Sequence, residues 1–183
     1  IKDKIRPGIK EELKDLRALG IKNLIILSGD NQGSVDLVSK ELGFNKAYGN
    51  MLPEDKANFV KQLIDEKNQR VAFVGDGIND SPSLALANIG IAIGSGTDVA
   101  IETSDVVLMQ DDLSQLTHAL GLAKATARNM KQNIVIALGL VIFLLAGVLF
   151  GDWMNMSLGM LLHEASIFLV ILNGMRLLGY KLK

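Results

Sequence analysis

Residues 70–82 read Arg70-Val71-Ala72-Phe73-Val74-Gly75-Asp76-Gly77-Ile78-Asn79-Asp80-Ser81-Pro82. A short apolar run breaks into a glycine-rich turn with two carboxylates, and Pro82 suits the first turn of a helix. The stretch therefore predicts a strand over Arg70–Val74 of the type buried on both faces, then a loop, then a helix. Gly75 and Gly77 let the backbone come close to a ligand. Asp76 and Asp80 can converge into a hard, oxygen-rich site for Mg²⁺, and Asn79 can donate to a phosphoryl oxygen. Taken alone, the same turn is equally well a capped loop whose Asp side chains satisfy backbone donors.

Outward from this stretch, helices and strands alternate. On the N-terminal side, Pro7–Leu19 predicts an amphipathic helix with an Ile9, Leu13, Leu16, Leu19 stripe and Gly20 at its end. Asn23–Leu27 predicts a strand that runs into Ser28-Gly29-Asp30. Ser34–Leu42 predicts a helix closed by Gly43, Lys46–Tyr48 a short strand, and Pro53 to about Asn68 another helix. On the C-terminal side come a helix over Ser81–Ala87, a strand over Ile89–Ile93, a short helix over Asp98–Glu102 and a strand over Val106–Met109. This order predicts an α/β fold with a parallel, doubly wound sheet of Rossmann-like type, whose ligands sit at the C-terminal strand ends.

Two loops fall at such ends: Ser28-Gly29-Asp30 and Gly75–Asp80. The Ser28 hydroxyl and neighbouring backbone N–H groups can cradle a phosphoryl group, although a plain turn needs the same residues. Lys56 lies in the first turn of its helix. A cation there opposes the helix dipole unless an anion faces it, and a phosphoryl group is the natural anion.

The chain changes character near residue 130. From Ile134 to Phe150 there are 17 residues without a charge, and from Met154 to Leu172 the ionisable groups are His163 and Glu164. These runs span roughly 25–29 Å as helices, close to the hydrocarbon thickness of a bilayer. They predict a transmembrane hairpin over about 134–150 and 154–172 within 134–178; the alternative is a pair of buried core helices. Residues 112–133 are expected to connect it, as one helix, to the soluble domain at 1–111. Trp153 suits a membrane interface. Lys124, Arg128 and Lys131 precede the first run, Arg176, Lys181 and Lys183 follow the second, and the connecting loop has neither Lys nor Arg. The positive-inside rule then predicts a multi-pass membrane protein, of the cell membrane, with its soluble domain in the cytoplasm.

Composition narrows the classes further. A net charge of −1 and the lack of a basic stripe argue against nucleic acid as a partner. With no cysteine, the chain suits a reducing compartment and offers no thiolate metal site. The opening Ile1-Lys2-Asp3-Lys4 is not followed by an apolar signal-peptide core, and the missing start Met suggests a fragment.

Ser28-Gly29-Asp30, then Pro53-Glu54-Asp55-Lys56, then Gly75–Pro82, in this order, resemble the second part of the phosphorylation domain of P-type ATPases, which has the haloacid-dehalogenase fold. The stretch Ile89–Met109 is similar to the heavy-metal branch of that family, and the resemblance covers essentially the whole chain. In the family the first strand ends in D-K-T-G-T, whose Asp receives the γ-phosphoryl group of ATP. That motif does not occur here, nor do the nucleotide-binding insertion, the actuator T-G-E or a C-P-x or S-P-C membrane helix, all of which lie further N-terminal in the family. The resemblance thus implies the C-terminal part of a pump, with an incomplete sheet, ATP bound mainly elsewhere, and the missing N-terminal part of the same polypeptide as a partner. It implies that Asp76 coordinates Mg²⁺, that Asn79 and Asp80 complete the phosphate–metal network, and that Lys56 binds the phosphoryl group. Ser28 (where the family usually has Thr) and Gly29 would line its pocket, and Asp30 would face the phosphorylation site and the actuator.

His163 and Glu164 lie mid-way along the second apolar run, where a charge costs about 2.5–3.5 kcal/mol on insertion scales. Met160, His163, Ser166 and Asn173 recur along one side at helical spacing, with Glu164 about 100° round. His163, Glu164 and Ser166 are therefore candidate ligands of a transported cation; an inward polar pair that only fixes packing is the other reading. Imidazole and carboxylate suit Zn²⁺, Co²⁺ or Fe²⁺ better than Cu⁺. The copper-pump patterns Y-N and M-x-x-S-S are missing, and Val141 stands where zinc, cadmium and lead pumps tend to have Lys. His163-Glu164-Ala165-Ser166 is similar to the H-E-G-G/S-T pattern of the cobalt-type subgroup. The expectation is an ATP-driven exporter of a divalent transition metal working through an aspartyl-phosphate, with the 183-residue chain alone inactive. The rivals are a soluble haloacid-dehalogenase-type phosphatase and a non-catalytic regulatory membrane subunit.

Overall fold

In the computed structural model, which describes residues 5, 8–76, 78–94, 98–110, 112–151 and 155–180, the chain divides into two units, Ile1–Thr117 and His118–Lys183. Pro7, Gly77, Trp153, Met154, Lys181 and Lys183, used in the sequence reading, lie outside the described residues.

The first unit opens with α1 (Ile9–Ala18), which buries Leu13 and Leu16 and stops where Gly20 takes a φ of 91°. β1 (Ile25–Leu27) follows, two residues shorter than its apolar run suggests. α2 (Gln32–Leu42) starts earlier than expected because Asn31 caps it, its side chain accepting from Ser34 N–H. β2 (Lys46–Tyr48) lies where the sequence puts it, and α3 (Pro53–Asp65) ends three residues early. Then come β3 (Ala72–Gly75), a 3₁₀ turn over Ile78–Asp80 and α4 (Ser81–Leu86). β4 (Ile89–Ile93), α5 (Asp98–Thr103) and β5 (Val106–Leu108) complete the α/β unit.

All strand pairs are parallel, as the alternation predicts, but they form two sheets rather than one: β1–β2 and β3–β4–β5. The break lies between β1 and β3, which agrees with a sheet that lacks a central member. The core nevertheless bridges it, since Leu27 of β1 packs against the cluster of Val60, Phe73 and Leu84. Burying Val60 and Leu84, each 1% exposed, contributes about 1.5–3 kcal/mol apiece.

β3 departs from the fully buried strand that its apolar run predicts. β3 is not buried on both faces: Phe73 is inside, while Ala72 and Val74 are exposed. Phe73 meets α3 and α4 through Val60 and Leu84, and the opposite face of the strand has no such cover among the described residues.

α6 (Leu113–Phe150) is a single helix of 38 residues, about 57 Å long, and α7 (Met156–Met175) has 20 residues. Asn155 caps α7, its side chain accepting from Leu158 N–H. A short 3₁₀ turn over Arg176–Gly179 follows. Both helices are long and apolar enough to cross a membrane, and their apolar residues lie mostly exposed, Val135, Leu145, Phe150 and Leu169 among them. That exposure is what candidate membrane spans show, and buried core helices of this chain alone would not show it.

Candidate phosphoryl-transfer and cation sites

The two chemistry-bearing loops of the first unit are built by close backbone packing. Ser28 N–H donates to Tyr48 O, and Met51 N–H to Ser28 O at 3.0 Å, so the segment after β2 grips the one after β1. Gly49 is required there: a Cβ would sit 2.7 Å from Asp30 O and from Gln32 Cα. Asn50 takes a positive φ of 56°, and its N–H reaches Asp30 O at 2.6 Å. Gln32 closes the arrangement, accepting from Gly49 N–H at 2.6 Å and donating to Ala47 O at 3.1 Å. Gln32, Gly49 and Asn50 are not among the site residues the sequence predicts; the Gly49-Asn50 pair carries only a turn signal. Within the first loop the Ser28 hydroxyl accepts from Asp30 N–H at 3.2 Å and donates to the Asp30 carboxylate at 3.0 Å. Gly29 and Asp30 are exposed.

Lys56 and Asp80 come together: Nζ and Oδ1 are 2.8 Å apart, with side chains 13% and 14% exposed. The anion that answers the Lys56 charge at the start of α3 is thus, within this chain, the Asp80 carboxylate. Gly75 permits the contact, because a Cβ there would come within 2.7 Å of Asp80 Cβ. Asp76, directly after β3, is exposed and has no hydrogen-bond or ion-pair partner among the described residues; Asn79 is exposed beside it.

The donor set fits Mg²⁺. Asp76 offers a free carboxylate and Asp80 keeps one oxygen clear of Lys56, all hard oxygen donors. No group of three or more His, Asp or Glu side chains assembles among the described residues. Mg²⁺ does not need one, since it retains waters and is commonly held by one or two carboxylates plus a substrate phosphate.

In the second unit, the four-residue side of α7 divides. Ser166, 8% exposed, and half-buried Asn173 lie on the inner face, while Met160, His163 and Glu164 are exposed. Ser166 donates to His163 O at 2.6 Å, which leaves its oxygen lone pairs as acceptors. The helices are clasped by amides: Asn129 donates to Asn173 O at 2.6 Å, and Asn173 donates to Asn133 Oδ1 at 2.9 Å.

A protein-family model described as haloacid dehalogenase-like hydrolase matches residues 1–88. The zinc-transporting ATPase of Bacillus subtilis (strain 168) is 46% identical over 178 residues, which are 97% of this chain and 28% of that protein. The copper-exporting P-type ATPase B of Archaeoglobus fulgidus is 40% identical over 176 residues, 93% of this chain and 25% of that protein. The crystal structure of a zinc-transporting PIB-type ATPase in its E2.Pi state matches with a TM-score of 0.83 at 41% identity, covering 96% of this chain and 28% of that one. The chain spans about a quarter of the length of the curated relatives it matches.

Proposed function

We propose that this chain, 46% identical to a zinc-transporting ATPase and 41% to a zinc-transporting PIB-type ATPase of solved structure, is part of a heavy-metal-transporting P-type ATPase, an ATP-driven pump that exports a divalent transition metal of the zinc, cobalt, iron or cadmium class. The observation that carries this reading is the joining, in one chain, of the Lys56–Asp80 pair beside the free Asp76 carboxylate with an exposed apolar hairpin bearing His163 and Glu164. A soluble phosphatase has no use for the second feature.

Phosphoryl transfer asks the protein mainly for positioning and charge. Lys56 supplies a fixed cation close to where phosphoryl oxygens would gather, and Asp80 holds its Nζ in place. Asp76 and Asp80 would hold Mg²⁺, which neutralises phosphoryl charge when bound. Gly29 and Asn79 would offer donors to the same oxygens, Ser28, whose hydroxyl is held by Asp30, would line the pocket, and Asp30 would face the acceptor. The acceptor is an aspartate supplied outside these 183 residues, so phosphorylation through an aspartyl-phosphate belongs to the longer protein. The soluble unit would lie in the cytoplasm, given the cations at the ends of the hairpin.

Overall similarity does not choose the ion, since relatives named for zinc and for copper are 46% and 40% identical. His163 and Glu164 favour a borderline divalent ion over Cu⁺. The test is ATPase activity of the full-length protein with Zn²⁺, Co²⁺, Fe²⁺, Cd²⁺ and Cu⁺ in turn. Stimulation by a divalent ion, lost in His163→Ala and Glu164→Ala, is expected. Stimulation by Cu⁺ alone, or unchanged stimulation in both variants, would overturn the assignment.

A further inference from the structure

The second unit carries a groove that phosphoryl chemistry and metal transport leave unused. It is an open groove of about 470 Å³, and Arg128, Lys131, Gln132, Val135, Ile136, Asn173 and Arg176 line it. Val135 and Ile136 stand at the start of the uncharged run, so the groove sits where the basic part of α6 gives way to its apolar part. Its walls are largely apolar, and the stems of long basic side chains can cover apolar surface while their charged ends stay in water.

The charge is one-sided. Between Leu113 and Phe150 the charged residues are Lys124, Arg128 and Lys131, with no Asp or Glu, and Arg176 adds a fourth cation from the far end of α7. Arg176 donates to Asn173 Oδ1 at 3.0 Å, and that amide also belongs to the clasp between the helices. No carboxylate pairs with Arg128, Lys131 or Arg176 among the described residues.

From this geometry we propose that the groove binds the headgroup of an anionic phospholipid from the bilayer leaflet that meets the basic ends of the helices. The inference rests on the membrane reading above. The cations meet the lipid phosphate, while Val135, Ile136 and the exposed apolar faces beyond them receive the acyl chains. Basic recesses between membrane helices at the cytoplasmic side are suited to such headgroups. A free phosphate would use the cations and gain nothing from the apolar walls.

The experiment uses the full-length protein in nanodiscs containing equal phosphatidylglycerol and phosphatidylcholine, with retained lipid read by native mass spectrometry after mild detergent extraction. Wild type is expected to retain phosphatidylglycerol preferentially. Each cation near a membrane surface contributes about fivefold to anionic-lipid affinity, so Arg128→Gln with Lys131→Gln should cut the preference about 25-fold. Arg128→Lys with Lys131→Arg, which keeps both charges, should restore it. Millimolar inorganic phosphate should not displace the lipid. Equal retention of the two lipids by wild type, an unchanged preference in the neutralised variant, or full displacement by phosphate each overturns the proposal. Alkaline carbonate extraction of the protein from its membranes is a different failure: it removes the membrane reading itself and the lipid site with it.

Discussion

Gly90 has no room for a methyl group. A Cβ there would lie 2.5 Å from the carbonyl oxygen of Leu84 and 3.1 Å from its carbonyl carbon, both backbone atoms that cannot swing aside. Its N–H donates to the Asp105 carboxylate, and its carbonyl accepts from Asp105 N–H, each at 2.8 Å, so β4 cannot slide to make space. Gly90→Ala should cost about 1–3 kcal/mol, in the range of other overpacked sites. A lowered apparent melting temperature checks this, with Gly139→Ala, where nothing lies within 4 Å, as a control that should lose no stability. Glu12 makes a second case. Burial first, and then the Asp112 carboxylate beside it, push its carboxyl above the ordinary value of 4.5. An acid raised in the folded state favours folding while protonated, and that contribution falls away as pH rises from the unfolded value through the folded one. Glu12→Gln should therefore raise the melting temperature at pH 7 and gain little below pH 4.5; an equal gain at both would show that the Glu12 carboxyl is not raised as described.

At the scale of elements, the hairpin depends on one residue more than its apolar pattern suggests. Asn173 bonds Asn133 and Arg176 through its side chain and receives Asn129 at its carbonyl. Interhelical polar pairs in membranes are worth about 0.6 kcal/mol on average and up to about 1.7. Asn173→Leu should loosen the hairpin by an amount in that range, read as a lower unfolding midpoint in mixed micelles; no change would mean that apolar packing alone holds α6 to α7. The sequence placed Asn173 on the same side as Ser166 and His163, since helical spacing is visible in any sequence. It did not show that Ser166 and Asn173 turn inward while His163 is exposed, because that depends on which face meets α6. The same limit applies in the first unit. The Gly75–Asp80 loop was legible from its glycines and carboxylates, whereas Gly49-Asn50 marks a turn without showing that it and Gln32 grip the Ser28 loop, a tertiary contact between segments. Likewise Lys56 announced that it needed an anion, but not that Asp80 would supply one.

Across the whole molecule, the two parallel sheets make the soluble unit unequal in its protection. β4 is hydrogen-bonded on both sides, to β3 from Ile89 to Ala92 and to β5 from Ile91 to Ile93. β1 and β3 each have a ladder on one side, to β2 and β4 respectively, and no strand among the described residues joins them. The apolar runs of these strands gave no sign of that difference, since an edge strand and a central strand of a parallel sheet read alike when a core lies beneath them. A free edge leaves backbone N–H groups open to water, and local opening there needs far less free energy than opening the core. Hydrogen exchange of the 183-residue chain in micelles should therefore find β4 slowest, with β1 and β3 much faster despite Leu27 and Phe73 sharing one core. In the full-length protein, if a further strand enters between β1 and β3 as the proposed pump requires, both should slow toward the rate of β4. Equal protection of β1, β3 and β4 in the 183-residue chain would contradict the two-sheet arrangement; unchanged fast exchange in the full-length protein would mean that the gap stays open and that the phosphorylated aspartate is presented by something other than a strand of this sheet.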